Sequence, residues 1–220
     1  RTSSSRRRRR LLRRRRRLWL PRMSCALIFP GQGSQSLGMG KDFYENSPKA
    51  KALLDEASEY SKIDFKRLLF TQNDDLARSE FTQPAIVLSS LMAYAALLEK
   101  KPDFRHNFAL GHSLGEFSAL AINGAFDFLE AIVLVNKRGI YMQEDCVKIE
   151  AGMMVILGLS DEVVQGLCEL AKAEGKSIFA ANYNCDGQIV VAGLKAHLLE
   201  YEAKFKEAGA KRAMLLNMSV

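Results

Sequence analysis

The sequence predicts an α/β protein that ends in a ferredoxin-like unit. Two observations carry this. In the first half, short apolar runs enter glycine-bearing turns and helix-patterned segments follow. In the second half, six elements in the order β-α-β-β-α-β fit into about seventy residues.

Taken in order, residues 24–30 (SCALIFP) read as a short buried strand. A turn follows at Gly31-Gln32-Gly33-Ser34-Gln35, with Gly38 and Gly40 beyond. Residues 48–60 have helical spacing, with Ser47 placed to cap them. Residues 83–101 form a longer helix, apolar at Ile86, Leu88, Leu91, Met92, Ala95 and Leu98. A second strand is expected over 106–110, a helix of small residues over 114–122, and another over 126–141. The pattern then changes: strand 153–159, helix 161–174 stopped by Gly175, strands 177–181 and 188–192, helix 195–208 closed by Gly209, strand 211–217.

Composition narrows the classes. The 220 residues are 48% hydrophobic and 26% charged, which excludes collagen-like, disulfide-scaffold and disordered chains. No apolar run is read as reaching the roughly 18 residues of a membrane span. The net charge of +7 is misleading: residues 1–22 hold 12 arginines and no acid, leaving 20 basic against 25 acidic residues, net −5, in the rest. Nucleic-acid binding by the body is therefore not expected. Cys25, Cys146, Cys168 and Cys185 have no CxxC spacing; reduced, mostly buried thiols in a cytosolic protein are expected.

Residues 1–22 carry two blocks of five arginines around Leu11 and Leu12, a self-repelling run expected to be disordered. A transit peptide or a polyanion-binding arm would explain it. The preferred reading is foreign sequence, since Met23 stands directly before the strand-like run. At the other end the apolar run 213–220 has no closing turn, and a chain cut at both ends is expected.

The chemistry centres on Gly111-His112-Ser113-Leu114-Gly115, a G-x-S-x-G pattern between a strand and a helix. A sharp strand-to-helix turn lifts the serine hydroxyl and aims the amides of the next helix at what the serine attacks. Ser113 is the candidate nucleophile and the Leu114 N–H a candidate oxyanion donor; the competing reading is a loop serine capping the helix. Gly31-Gln32-Gly33 reads as a second donor loop, with a plain glycine turn or a phosphate loop as rivals. Arg138, on the next helix, suits a substrate carboxylate, although most helical arginines are solvated. None of His106, His112 and His197 is well placed as a general base.

Five motifs in order then carry a resemblance: FPGQGSQ (29–35), FTQPAI (81–86), GHSLGEFSAL (111–120), RGIYMQ (138–143) and ANYNCDGQIVVAG (181–193). Together they resemble the bacterial malonyl-CoA:acyl carrier protein transacylases of type II fatty acid synthesis. The resemblance implies an α/β-hydrolase-like core over 23–150, an inserted ferredoxin-like βαββαβ subdomain over 151–218, and a core whose C-terminal part is missing. It implies Ser113 as nucleophile, Gln32 and Leu114 amides as oxyanion hole, and Arg138 on the malonyl carboxylate. Met142 would line the acyl pocket, with Asn182 and Asn184 bordering the site. The general-base histidine would lie beyond residue 220, leaving this fragment nearly inactive.

The implied reaction moves a malonyl group from malonyl-CoA to the phosphopantetheine thiol of acyl carrier protein through a malonyl-serine ester. No bound cofactor or metal is implied, and a cytoplasmic monomer away from membranes is expected. Rivals are an acyltransferase domain of a polyketide or fatty acid synthase, a serine hydrolase or thioesterase, and an inactive fragment whose arginine leader binds polyanions.

Overall fold

The structure, a computed structural model, describes residues 25–216. The arginine leader 1–22 and the expected subdomain end at 217–218 lie outside the described residues. Strand β1 (Ala26–Phe29) runs into the glycine turn and then α1 (Lys41–Asn46), α2 (Pro48–Ser61) and α3 (Phe65–Phe70). Helix α4 (Ser79–Lys100), strand β2 (Phe108–Gly111), α5 (Gly115–Ile122) and α6 (Phe128–Ile149) complete the first part.

Ser47 caps α2 as expected: its Oγ accepts from the Ala50 N–H at 3.2 Å, and it donates to Glu99 Oε2 at 2.5 Å. The short helices α1 and α3 had no reading in the sequence pattern. Asp64 starts α3 by accepting from the Arg67 N–H at 2.9 Å, and Phe65, Leu68 and Leu69 bury its other face.

Helix α4 begins a turn earlier than expected because Pro84 does not break it. Proline removes the N–H that would bond the Glu80 carbonyl. Asn136 on α6 donates to that carbonyl instead, at 2.8 Å. By length and composition α4 could cross a membrane, which overturns the expectation that no run is long enough. Its polar Thr82, Gln83, Ser89 and Ser90 interrupt the apolar letters without interrupting the helix. Residues 82–88, with Leu91 and Met92, are buried, so α4 is the central helix of the core formed with Leu54, Leu68 and Ile132.

Helix α6 runs eight residues past its expected end. A capping box fixes its start, with Asp127 accepting from the Glu130 N–H and Glu130 from the Asp127 N–H. Gly139 does not stop it: an added Cβ there would stand 2.5 Å from the Ser79 carbonyl oxygen, so this glycine serves close packing of α6 on α4. Strand β2 starts two residues later than expected, because His106 turns aside to Asn123 Oδ1 at 3.2 Å.

Strands β1 and β2 pair in parallel, Ala26 opposite Phe108 through Phe29 opposite Gly111. Phe29 packs inward, while Ile28, Phe108 and Leu110 are exposed.

The second part comprises β3 (Ala151–Leu157), α7 (Asp161–Ala173), β4 (Ile178–Cys185), β5 (Gln188–Leu194), α8 (Lys195–Glu207) and β6 (Arg212–Leu215). All neighbours are antiparallel and the strand order is β4-β5-β3-β6, the ferredoxin-like arrangement. Met154, Ile156, Ile189 and Val191 on one sheet face meet Val164, Leu198, Tyr201 and Phe205 from the helices, a core separate from the first. Strand β4 is longer than expected and carries register shifts past Ala180 and Tyr183. The thiols are all free, but only Cys168 is buried; Cys25 and Cys146 are half-buried and Cys185 is exposed at the end of β4, which corrects the expectation of mostly buried thiols.

Candidate active site

Parallel pairing brings the C-terminal ends of β1 and β2 side by side, so the chain leaves both strands at one place. The His112 N–H continues the ladder to the Phe29 carbonyl at 3.0 Å. The chain then reverses, with Ser113 at φ 52, in the left-handed region that non-glycine residues seldom occupy. Holding a serine there costs about 1–3 kcal/mol, which the surrounding packing must offset. Both flanking glycines are required. A Cβ on Gly111 would lie 2.0 Å from the Gly115 carbonyl carbon, and one on Gly115 would lie 2.5 Å from the Phe29 carbonyl oxygen.

The Gly31 loop presses on this turn. A Cβ on Gly31 would sit 2.6 Å from His112 Nδ1 and 2.7 Å from its carbonyl oxygen. The Gln32 side chain is drawn away, donating to the buried Ser79 Oγ at 3.0 Å. The backbone N–H groups of Gln32 and Leu114 have no acceptor among the described residues. Leu114 stands at the start of α5, where amides point outward and the helix dipole favours negative charge.

Arg138 projects from α6 to the same spot. Its Nη2 donates to Ser113 Oγ at 3.1 Å and its Nη1 to Gln83 Oε1 at 2.6 Å. The guanidinium is half-buried, and this desolvation draws its pKa down from the ordinary arginine value. It remains a cation at neutral pH, held by two neutral partners with donors to spare.

Gln83 is a site residue that the sequence reading passed over. It is fully buried, and its Nε2 faces Met142 Sδ at 3.4 Å. A signal was available: a lone amide in the apolar stretch FTQPAI needs a buried partner. Met142, one turn beyond Arg138, thus touches the group that holds the guanidinium. It also lines an apolar cavity of about 660 Å³ between the end of α6 and the second sheet.

The other expected residues divide. Asn184 reaches the turn: its Oδ1 lies 3.0 Å from His112 Nε2. Asn182, two residues earlier on β4, is half-buried and paired with Val190; its side chain makes no hydrogen bond to the Ser113 group among the described residues. The three histidines are engaged elsewhere: His112 with Asn184, His106 with Asn123, and His197, whose Nδ1 accepts from the Ser177 N–H at 2.9 Å. His197 is half-buried. No metal-binding cluster of three or more His, Cys, Asp or Glu occurs among the described residues.

Comparison with known proteins gives a consistent result. Residues 26–220 match the family model described as the acyl transferase domain. The malonyl CoA-acyl carrier protein transacylase of Bacillus subtilis (strain 168) is 40% identical over 197 residues, covering 88% of this chain and 61% of that protein. The protein of the same name from Staphylococcus aureus (strain MRSA252) is 40% identical over 195 residues, covering 88% and 62%. Among solved structures, the malonyl-CoA:acyl carrier protein transacylase of Helicobacter pylori aligns with TM-score 0.82 and 48% identity over 90% of this chain and 63% of its own. A malonyl-transacylase solved with a type II polyketide synthase acyl-carrier protein aligns with TM-score 0.82 and 37% identity, over 90% and 63%. The chain thus spans less than two thirds of the length of these relatives. With an α/β core, a ferredoxin-like unit and a strained serine turn in the matched region, the chain belongs to the acyl transferase domain family.

Proposed function

We propose that the protein transfers a malonyl group from malonyl-CoA to the phosphopantetheine thiol of an acyl carrier protein, supplying fatty acid elongation. The observation that carries this reading is the 3.1 Å hydrogen bond from Arg138 to the Ser113 hydroxyl. A fixed cation beside a strained serine favours an acyl group that ends in a carboxylate.

In this reading Ser113 Oγ attacks the thioester carbon of malonyl-CoA and loses its proton to a base. No histidine among the described residues takes that part, so the base comes from outside them. The negative oxygen of the tetrahedral intermediate settles on the Gln32 and Leu114 amides; a donor of this kind is typically worth about 2.7–4 kcal/mol. The C–S bond breaks, CoA leaves as its thiol after taking up a proton, and a malonyl-serine ester remains. The carrier thiol attacks the ester by the reverse sequence and Ser113 regains its proton. Arg138 holds the free carboxylate through parallel hydrogen bonds, exchanging its bond to Ser113 for stronger, charge-assisted ones. Residues 23–150 act as the acyltransferase core and 151–218 as the smaller wall of the site. Both thioester carriers are soluble, which suits a cytoplasmic reaction with no resident cofactor.

The test is acyl-enzyme formation by the full-length protein, followed by mass spectrometry with malonyl-CoA and acetyl-CoA. Arg138→Ala should slow malonyl loading by about 10²–10³-fold, the effect of losing one partner of a buried ion pair, and acetyl loading far less. Ser113→Ala should carry no malonyl adduct. Equal losses for both donors would remove the carboxylate role, and an adduct persisting on Ser113→Ala would remove the nucleophile.

A further inference from the structure

The two parts of the molecule are joined sparsely. The main chain passes from α6 to β3 through Glu150, whose φ of 45 makes a left-handed corner, and the Lys195 N–H returns to the Glu150 carbonyl at 3.0 Å. Between them lies the 660 Å³ cavity, with Met142, Cys146 and Ile149 from α6 facing Met153, Phe179 and Leu194 from the sheet. An apolar gap of that size does not fix the angle between two bodies. Among the described residues a single side-chain hydrogen bond crosses from one part to the other: His112 Nε2 to Asn184 Oδ1, at 3.0 Å.

The two ends of that bond sit in different settings. The His112 backbone is tied to Phe29, and its ring occupies the space that a side chain at position 31 would fill. Asn184 lies within the last register shift of β4, between Tyr183 and Cys185, near the tip of the hairpin formed with β5. With Nε2 carrying the proton, the ring donates to the Asn184 carbonyl oxygen and is turned away from the hydroxyl of its neighbour, Ser113.

We propose that His112 and Asn184 form a clasp that seats the β4–β5 hairpin beside Ser113. His112 is then a positioning residue that acts through the hairpin and carries no proton in the reaction. The kinetic part of the inference rests on the malonyl-transfer reading; the structural part does not. If the clasp opens, a smaller share of molecules has the complete site wall, and apparent substrate affinity falls by that share while the chemistry of the closed form is unchanged.

The experiment compares the full-length protein with Asn184→Leu, Asn184→Asp, His112→Leu and the double leucine variant. Asn184 is exposed on a hairpin end, so its variants test the idea even if His112→Leu does not fold. Hydrogen exchange of the β4–β5 hairpin amides should quicken by about three- to tenfold in Asn184→Leu, the loss of one neutral hydrogen bond, with exchange in α4 unchanged. KM for malonyl-CoA should rise by the same factor with kcat nearly constant. Asn184→Asp, which keeps the acceptor, should restore both, and the double variant should be no worse than either single one. Unchanged hairpin exchange in Asn184→Leu, or effects that simply add in the double variant, overturns the clasp. If the unaltered protein takes up no malonyl group, the assigned reaction is wrong, and the exchange data still decide the clasp.

Discussion

Gln83 Oε1 accepts a 2.6 Å hydrogen bond from Arg138 Nη1 in a position closed to solvent. The bond fixes one edge of the guanidinium and turns its other edge toward Ser113. Gln83 itself is fixed from behind by Met142. Three side chains on two helices therefore set the direction of one charge.

Gln83→Leu is expected to slow malonyl loading by about 10- to 100-fold, the usual loss for a hydrogen bond to a charged group. Acetyl loading should change much less, since it does not use the guanidinium. Single-turnover rates with both donors check this. Equal slowing would mean that Gln83 serves packing alone.

The Pro84 arrangement gives a stability prediction independent of function. Asn136→Leu should leave the Glu80 carbonyl without its side-chain donor and cost about 1–3 kcal/mol. Adding Pro84→Ala restores a backbone N–H four residues on, so the double variant should recover most of that loss. Denaturant unfolding of the two single variants and the double one tests the coupling. If Pro84→Ala gives no recovery, Asn136 does not substitute for the missing donor.

In the second part, fully buried Tyr201 donates its hydroxyl to Glu174 Oε2 at 2.6 Å, and Lys204 Nζ lies 4.2 Å from the ring centre. Burial first, and then the bond to Glu174, push the Tyr201 phenol upward from its ordinary value. The folded protein thus holds the proton more tightly than the unfolded chain. The resulting stability is complete below the ordinary tyrosine pKa of about 10 and is lost as pH rises beyond it. Alkaline unfolding followed by near-ultraviolet absorbance should show the phenolate appearing together with loss of structure. Tyr201→Phe should flatten that alkaline limb.

The serine turn was readable in the letters because its geometry admits so few residues: glycines at 111 and 115 are the only ones whose backbones fit against Gly115 and Phe29. The ferredoxin-like order was readable from alternation and glycine stops. What local pattern missed was set by distant partners. The start of α4 depends on Asn136, 56 residues away from Glu80. The length of α6 depends on Gly139 fitting against Ser79, and β2 gives up His106 to Asn123. Gln83 and the half-buried state of Arg138 follow from helix packing, which no spacing rule records. Asn184 stood out as a border residue, but its partner His112 was visible only once β4 was placed beside the turn.

The unusual dihedral at position 113 belongs to the main chain and is enforced by neighbours that never contact the reacting atom. The bend is in effect a mounting bracket, indifferent to which short side chain is fastened to it. A cysteine installed at 113 would inherit the same aim, and the scaffold would then hold its cargo as a thioester in place of an oxygen ester. The bracket and the group it carries can therefore be re-engineered separately.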